Sequence, residues 1–141
     1  MSSLRRVNPA HLAAPKGFSH AVVAEAGGTP VYLAGQTGMA PDGSIVDGGI
    51  VAQFRQALSN LLAALEAAGG TPADLAQLRI YIVDMDAYRA AAREIGAVWR
   101  ELAGTEYPAM AGIGVARLWD VEALVEVEGV AVVAGSHPKS A

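Results

Sequence analysis

The sequence predicts a single α+β domain in which two helices cover one face of a single β-sheet. Its 141 residues match the usual size of one domain, so we treat residues 1–141 as one unit. Apolar residues recur with a helical period in two segments, whereas the other apolar segments are short and strand-like. The element order is ββαβαββ, and pairing of strands across the helices places both helices on one side of the sheet.

The composition limits the classes of function. Apolar residues make up 52% and charged residues 17%, which excludes a disordered chain. No stretch approaches 18 uninterrupted apolar residues, so we expect no membrane span. The formal net charge is −4, which makes nucleic acid an unlikely partner because no basic surface is expected.

The absence of cysteine excludes a disulfide framework, a thiolate nucleophile and a cysteine-ligated metal. Three scattered histidines do not make a convincing metal site either, and we expect no metal. The segment Met1–Arg6 carries two arginines but leads into no apolar stretch, so no signal peptide is predicted. We therefore expect a cytoplasmic protein.

Strands and turns dominate the first third of the chain. The segments His20–Glu25 and Val31–Ala34 are predicted strands, joined by a turn that contains glycine and proline. A second turn is predicted at Pro41–Ser44.

The first helix is predicted over residues 50–68, with Asp47 as N-cap or first-turn charge and Gly69-Gly70 as its end. Its apolar residues lie on one stripe. They are Ile50, Phe54, Leu58, Leu61, Leu62 and Leu65.

The second half repeats the pattern. Residues 78–83 alternate as a strand, with Leu78, Ile80 and Ile82 toward the core. A second helix begins at Asp84 or Asp86 and runs to about Leu102, ended by Gly104. The closing strands are predicted at residues 111–118 and 123–133, and residues 135–141 are expected to fray.

The last predicted strand has two different faces. From Val121 to Val133 the odd positions are all small or apolar, whereas the even positions begin acidic and end with Val130 and Val132. Helices on one side leave the even face bare, and two valines should not face water. We therefore predict that this face meets another subunit, with ligand clefts between the copies.

Several short motifs, in this order and spacing, resemble the Rid family, also called YjgF/YER057c/UK114. They are Ala34-Gly35-Gln36, Gln53 to Asn60, Glu66 to Gly69, Tyr81 to Met85, Tyr107-Pro108-Ala109, Val115 to Leu118 and Val125 to Glu128. The resemblance covers residues 14–133. It implies a chorismate-mutase-like fold of the bacillus type, a homotrimer with a central barrel, and three intersubunit clefts. The deaminase branch hydrolyses reactive 2-imino or enamine acids to 2-keto acids and ammonia without metal or cofactor.

The resemblance assigns the activation of water to Glu126. A carboxylate in a partly desolvated cleft can have its pKa raised as a general base requires, and Glu128, two residues on, would push in the same direction. The alternative is that Glu122, Glu126 and Glu128 are solvated or paired with Arg79 or Arg117.

The resemblance also supplies substrate-binding positions. Gly35 and Gln36 match the backbone that contacts substrate, where glycine permits close approach; the alternative is an ordinary strand-end turn. Arg117 follows the family's Ala-Arg-Leu pattern, as a partner of a carboxylate or as an anion anchor.

Met110 is the main departure from the deaminase branch, which has an arginine here that grips the substrate carboxylate. Ala111-Gly112 stands where the branch has its usual cysteine or serine region, and Ala92 replaces an asparagine. His20 matches an aromatic tyrosine and could act as donor or acid, or have no role.

Three functions remain open. The first is a hydrolase of small imines or enamines whose specificity differs from that of 2-imino acid deaminases. The second is a non-catalytic trimeric module that binds a metabolite in the same clefts. The third, least supported by the acidic composition, is an endoribonuclease or translation inhibitor.

Overall fold

Alternation of apolar and polar residues, together with two amphipathic helical segments, forms the elements of the computed structural model. The structure describes residues 2–25 and 27–134. The strands are β1 (Leu4–Val7), β2 (Ala21–Ala24), β3 (Thr29–Thr37), β4 (Leu75–Ile82), β5 (Ala109–Gly114) and β6 (Val125–Val133). The helices are α1 (Gly49–Ala67), α2 (Met85–Ala90) and α3 (Ala92–Ala103), with a 3-10 turn at Pro72–Asp74.

The main sheet has four strands in the order β3-β6-β4-β5. Strand β6 is antiparallel to both β3 and β4, and β5 is parallel to β4. The parallel pair is joined through α2 and α3, as a crossover connection requires. The predicted α+β class is confirmed.

Three corrections concern the strands. The predicted strand His20–Glu25, observed as β2, does not join the main sheet but pairs with β1, which the sequence analysis missed. Strand β1 is Leu-Arg-Arg-Val, too short and too charged to give an alternating signal. The third correction concerns the closing strands, which begin and end at 109–114 and 125–133. Residues 115–124 form a loop instead.

The helix ends partly follow prediction. Asp84 caps α2, accepting from the Ala87 backbone N–H at 3.0 Å, and Gly104 ends α3 with a φ of 80°. Gly69, with a φ of 92°, follows the end of α1 as expected. Asp47 does not cap α1, because Gly48 occupies the N-cap position. The prediction of a single second helix is also wrong, because this segment divides at Ala91 into α2 and α3.

One face of the sheet is closed by the helices. The predicted apolar stripe of α1 is buried except at Ile50 and Leu62, which are partly buried. The predicted inward residues of β4 are buried, as are Val125 and Val127 of β6. The buried stripe consists of Phe54, Leu58, Leu61 and Leu65. On the opposite face, Tyr32 is 80% exposed and pairs in register with Val130, which is only half-buried. We call this opposite side the helix-free face.

Two amides on α1 fix the loops next to the strands. Gln53, which is buried, donates to the Glu122 carbonyl at 3.1 Å and accepts from the Leu124 N–H at 2.8 Å. Asn60 donates to the carbonyls of Thr37 and Met39. The start of β6 and the end of β3 are therefore tied to the same helix.

Within the described ranges, every helix is too short or too polar for a transmembrane span. The predicted fraying of residues 135–141 lies outside the described residues.

We expect Gln53→Leu to lower the free energy of unfolding by about 2 kcal/mol, because two partly buried hydrogen bonds to the backbone of Glu122 and Leu124 are lost. Urea denaturation measures this change. The matched control is Gln56→Leu on the same helix, whose amide bonds only the Asn60 side chain and should cost less than about 1 kcal/mol. Equal effects of the two variants would contradict this role of Gln53.

Candidate functional site

The helix-free face carries a pair of carboxylates in the middle of the sheet. Glu126 and Glu128 are two residues apart on β6, and their neighbours Val125 and Val127 are buried under the helices. A strand sends successive side chains to opposite faces, so both glutamates project to the helix-free face. Register places Tyr81 opposite Glu126 and Arg79 opposite Glu128 on β4.

Glu128 is held by its neighbours on β4. The Tyr81 hydroxyl donates to Glu128 Oε1, and Arg79 Nη1 lies 3.7 Å from the same oxygen. The hydrogen bond to Glu128 is the main reason that the pKa of Tyr81 is raised, with burial and the negative charge of Glu128 adding to it. The sequence left open that one of these glutamates pairs with Arg79, and Glu128 does so.

Glu126 differs from Glu128 in having no hydrogen bond or ion pair to another described residue. It is partly buried, and this desolvation is the largest cause of its raised pKa. The charges of Glu128 and Asp120 raise the pKa further. A carboxylate with unshared lone pairs and a raised pKa has the properties of a general base.

Gly35 makes room for Glu126. A Cβ at Gly35 would contact the Glu126 carboxylate and lie 2.9 Å from its Cδ, closer than real Cβ atoms approach. Gly35 comes this close to Glu126 because the pairing of β3 with β6 is irregular between Leu33 and Gln36. Such a bulge turns two successive residues to the same face, here Ala34 and Gly35. Gly35 therefore shapes the surface around the carboxylate.

Gln36 lies beside this group but projects elsewhere. It pairs with Val127, which is buried against the helices, while Thr37 pairs with Glu126. Side chains opposite each other in a sheet share a face, so the Gln36 side chain is on the helix side. Its backbone, rather than its side chain, is next to Glu126.

Met110 lies on the opposite side of the sheet from Glu126. It pairs with the buried Leu78 in the parallel β4–β5 ladder and packs against the helix-side core. Gly112 follows on the same side, with its Cβ position 3.6 Å from Ile82 Cδ1, an ordinary contact. A single chain therefore does not bring Met110 and Gly112 to Glu126.

His20 lies near Met110. Both line a cavity of about 280 Å³ at the β5 edge, together with Phe18 and Arg79. His20 Nε2 lies 2.7 Å from the Ala13 carbonyl oxygen, and since a carbonyl only accepts, Nε2 is the donor. The Phe18 ring packs edge-on against His20 at 5.1 Å between centroids.

Arg117 is removed from both groups. Its guanidinium donates to the carbonyls of Leu118 and Trp119 in its own loop, and the side chain is exposed. The expected pairing with a strand carboxylate is not seen among the described residues. Trp119 of this loop is 91% exposed.

Sequence reasoning missed several residues that the structure places at the two groups. Tyr81 holds Glu128, Asp120 acts on Glu126, and Phe18 lies beside Met110. The signal for Tyr81 was its place two residues after Arg79 on an alternating strand. Phe18 and Asp120 are in loops, where no periodicity marks orientation. In the described part of the chain, no three His, Asp or Glu residues are placed to hold a metal ion.

The chain is similar to several known proteins. A family model described as endoribonuclease L-PSP matches residues 9–133. RutC family protein PH0854 from Pyrococcus horikoshii is 34% identical over 119 residues, which cover 84% of this chain and 90% of the relative. A Capra hircus protein named 2-iminobutanoate/2-iminopropanoate deaminase is 32% identical over 136 residues, covering 94% and 93% of the two chains.

A solved structure agrees with these matches. It is that of YyfB from Yersinia pestis, described as a protein of unknown function of the conserved Rid family. It matches with a TM-score of 0.82 at 38% identity and covers 93% of this chain and 99% of its own. The chorismate-mutase-like fold is thereby confirmed, and the chain belongs to the Rid family, also called YjgF/YER057c/UK114.

Proposed function

We propose that this protein hydrolyses small reactive imines, or the enamines in equilibrium with them, in the cytoplasm. One imine and one water give one carbonyl compound and one ammonia, and the reaction needs no oxidant or reductant. The observation that carries the proposal is the Glu126 carboxylate, which is partly desolvated, has a raised pKa and is unshared with other described residues. Support comes from relatives named 2-iminobutanoate/2-iminopropanoate deaminase.

Glu126 acts on both sides of the reaction. Its carboxylate takes a proton from water as the oxygen adds to the imine carbon, which gives a tetrahedral aminoalcohol. The carboxyl passes this proton to the nitrogen, which completes the neutral aminoalcohol. The carboxylate then takes the proton of the new hydroxyl group and delivers it to the same nitrogen, so that ammonia leaves as the C=O bond forms. A raised pKa makes the Glu126 carboxylate a stronger base toward water, and the carboxyl that results can still return the proton to the nitrogen.

The proposed site is completed by a second copy of the chain. Glu126 and Gly35 belong to the helix-free face, whereas Met110 and Gly112 lie on the helix side of β5 and His20 lines the cavity at the β5 edge. In a homotrimer, the helix-free face of one subunit packs against its neighbour. The small-molecule ligand then binds in the cleft between the two groups.

Specificity is proposed to differ from that of 2-imino acid deaminases. Met110 offers no charged donor to a substrate carboxylate at that position. A lost hydrogen bond to a charged group costs about 1.5–3 kcal/mol, or about one to two powers of ten in affinity. A second candidate, a non-catalytic module that binds a metabolite in the same cleft, is favoured by this same residue.

We expect Glu126→Gln to lower ammonia release from an imine generated in situ by about a hundredfold or more, because the amide cannot accept the proton from water. In the unsubstituted protein the rate falls as pH drops through the raised pKa of Glu126, because protonation removes the base. The acid limb therefore lies above the usual glutamate range. Coupled ammonia assays across pH measure both effects.

The matched control is Glu122→Gln, an exposed glutamate in the loop before β6, which changes the net charge equally. It should keep the unsubstituted rate and acid limb. An acid limb that stays in place when Glu126 is replaced would contradict the assignment. Rates equal to those without protein, across imines with and without a carboxylate, would favour the binding module.

We expect Met110→Arg to raise kcat/KM for carboxylated imines by about tenfold to a hundredfold and to leave uncharged imines unchanged. The reason is that a guanidinium pairs with a carboxylate in a two-bond geometry. Met110→Leu, which fills similar space without charge, is the control. A gain on uncharged imines, or no gain on any imine, would contradict this account of specificity.

A further inference from the structure

A cavity of about 290 Å³ lies inside the single chain, between the helices and the β4–β5 side of the sheet. Its walls are mainly aromatic and aliphatic. They include Phe54, Ile80, Tyr88, Ile95, Trp99 and Met110. This volume is at the lower end of the range of about 300–1,000 Å³ typical of small-molecule sites.

Helix α3 leaves this space open because its wall positions are small. Ala92 and Gly96 line the cavity one helical turn apart. A glycine inside a helix costs about 1 kcal/mol relative to alanine, so Gly96 is not there for helix stability. Larger side chains at these two positions would occupy the opening.

Two cations line the cavity. Lys16 and Arg100 are both exposed, and neither has a carboxylate partner among the described residues. Arg100 Nη1 lies 3.3 Å from the position of a Cβ on Gly96, so its guanidinium lies over the gap that this glycine leaves. Arg79, in contrast, is already engaged by Glu128.

Tyr88 adds a polar group to the apolar wall. Its ring packs edge-on against Phe54, at 6.4 Å between centroids. Burial raises the pKa of Tyr88 to about 12, so its hydroxyl stays neutral and keeps its proton at physiological pH. The cavity thus combines an apolar interior, the neutral hydroxyl of Tyr88 and positive charge at Lys16 and Arg100.

We propose that this cavity binds a small carboxylic acid with an apolar or aromatic side chain, the side chain against Trp99 and Met110 and the carboxylate at Lys16 and Arg100. Met110 also borders the proposed intersubunit cleft, so the bound acid can be part of the imine substrate. This second step rests on the proposed function. Binding itself requires no hydrolysis. The substrate class is then imines of acids with large apolar side chains.

The test is direct binding of 3-phenylpropanoate, followed by Trp99 fluorescence in a Trp119→Phe background. Trp119 is exposed and does not line the cavity, and its removal leaves Trp99 as the single tryptophan. We expect 3-phenylpropanoate to bind at least about tenfold more tightly than 3-phenylpropan-1-ol, which lacks the charge, and than propanoate, which lacks the ring.

Variants separate the charge from the cavity. The double variant Lys16→Gln with Arg100→Gln removes both cations. It should lower the affinity for the acid at least about tenfold and leave the affinity for the alcohol unchanged. Arg93→Gln, an exposed arginine of α3 outside the cavity lining, is the control for charge and should change neither Kd. Equal binding of acid and alcohol, or no saturable binding of the acid, would overturn the proposal.

The two proposals fail separately. Glu126→Gln should keep the affinity for 3-phenylpropanoate, because Glu126 is on the other face of the sheet. Saturable binding of the acid with no turnover of any imine would overturn the proposed hydrolysis and leave the cavity site standing. Turnover without such binding would do the opposite.

Discussion

The two-residue alternation of β6, in the interior of a sheet covered on one side only, governs the rest of this structure. Val125, Val127 and Ala131 are fully buried under the helices, which sends the residues between them to the other face. Glu126 and Glu128 have no alternative orientation, because a slip of one residue would bury both carboxylates among apolar side chains. The alternation that buries the core residues of β6 therefore also places the acidic pair on the helix-free face.

The surroundings of Glu126 depend on two further features. The bulge in β3 presents Gly35 to the carboxylate, and no larger residue fits there without displacing it. The buried Gln53 and the polar Asn60 tie the loops beside β6 and β3 to one helix. The position of the carboxylate is thus set by backbone contacts that are distant from it in sequence.

Much of this could be predicted from the sequence, for identifiable reasons. The α1 stripe, the inward residues of β4 and the two faces of β6 are all long periodic patterns. Strand β1, the division at Ala91 and the bulge near Gly35 involve one to four residues, too few to form a pattern. The resemblance assigned Gly35 and Gln36 to the backbone that contacts substrate, but it could not show that the bulge turns the Gln36 side chain toward the helices.

The candidate site shows the same limit more sharply. Short motifs named Glu126, Gly35 and Met110, but only the sheet order shows that Met110 and Glu126 are on opposite faces. Lys16 and Arg100 belong to a loop and a helix that are far apart in sequence, so their common cavity emerges only from packing. Local sequence does not encode such a meeting.

The central claim is that each working site takes Glu126 from one subunit and the β5 edge from another. Mixed particles test it most directly: chains carrying Glu126→Gln are refolded together, in equal amounts, with chains carrying Gly112→Trp, each inactive alone. Random assembly leaves about one cleft in four with both groups intact, so ammonia release should return to about a quarter of the unsubstituted rate. A mixture that stays as inactive as its two parents would contradict the claim.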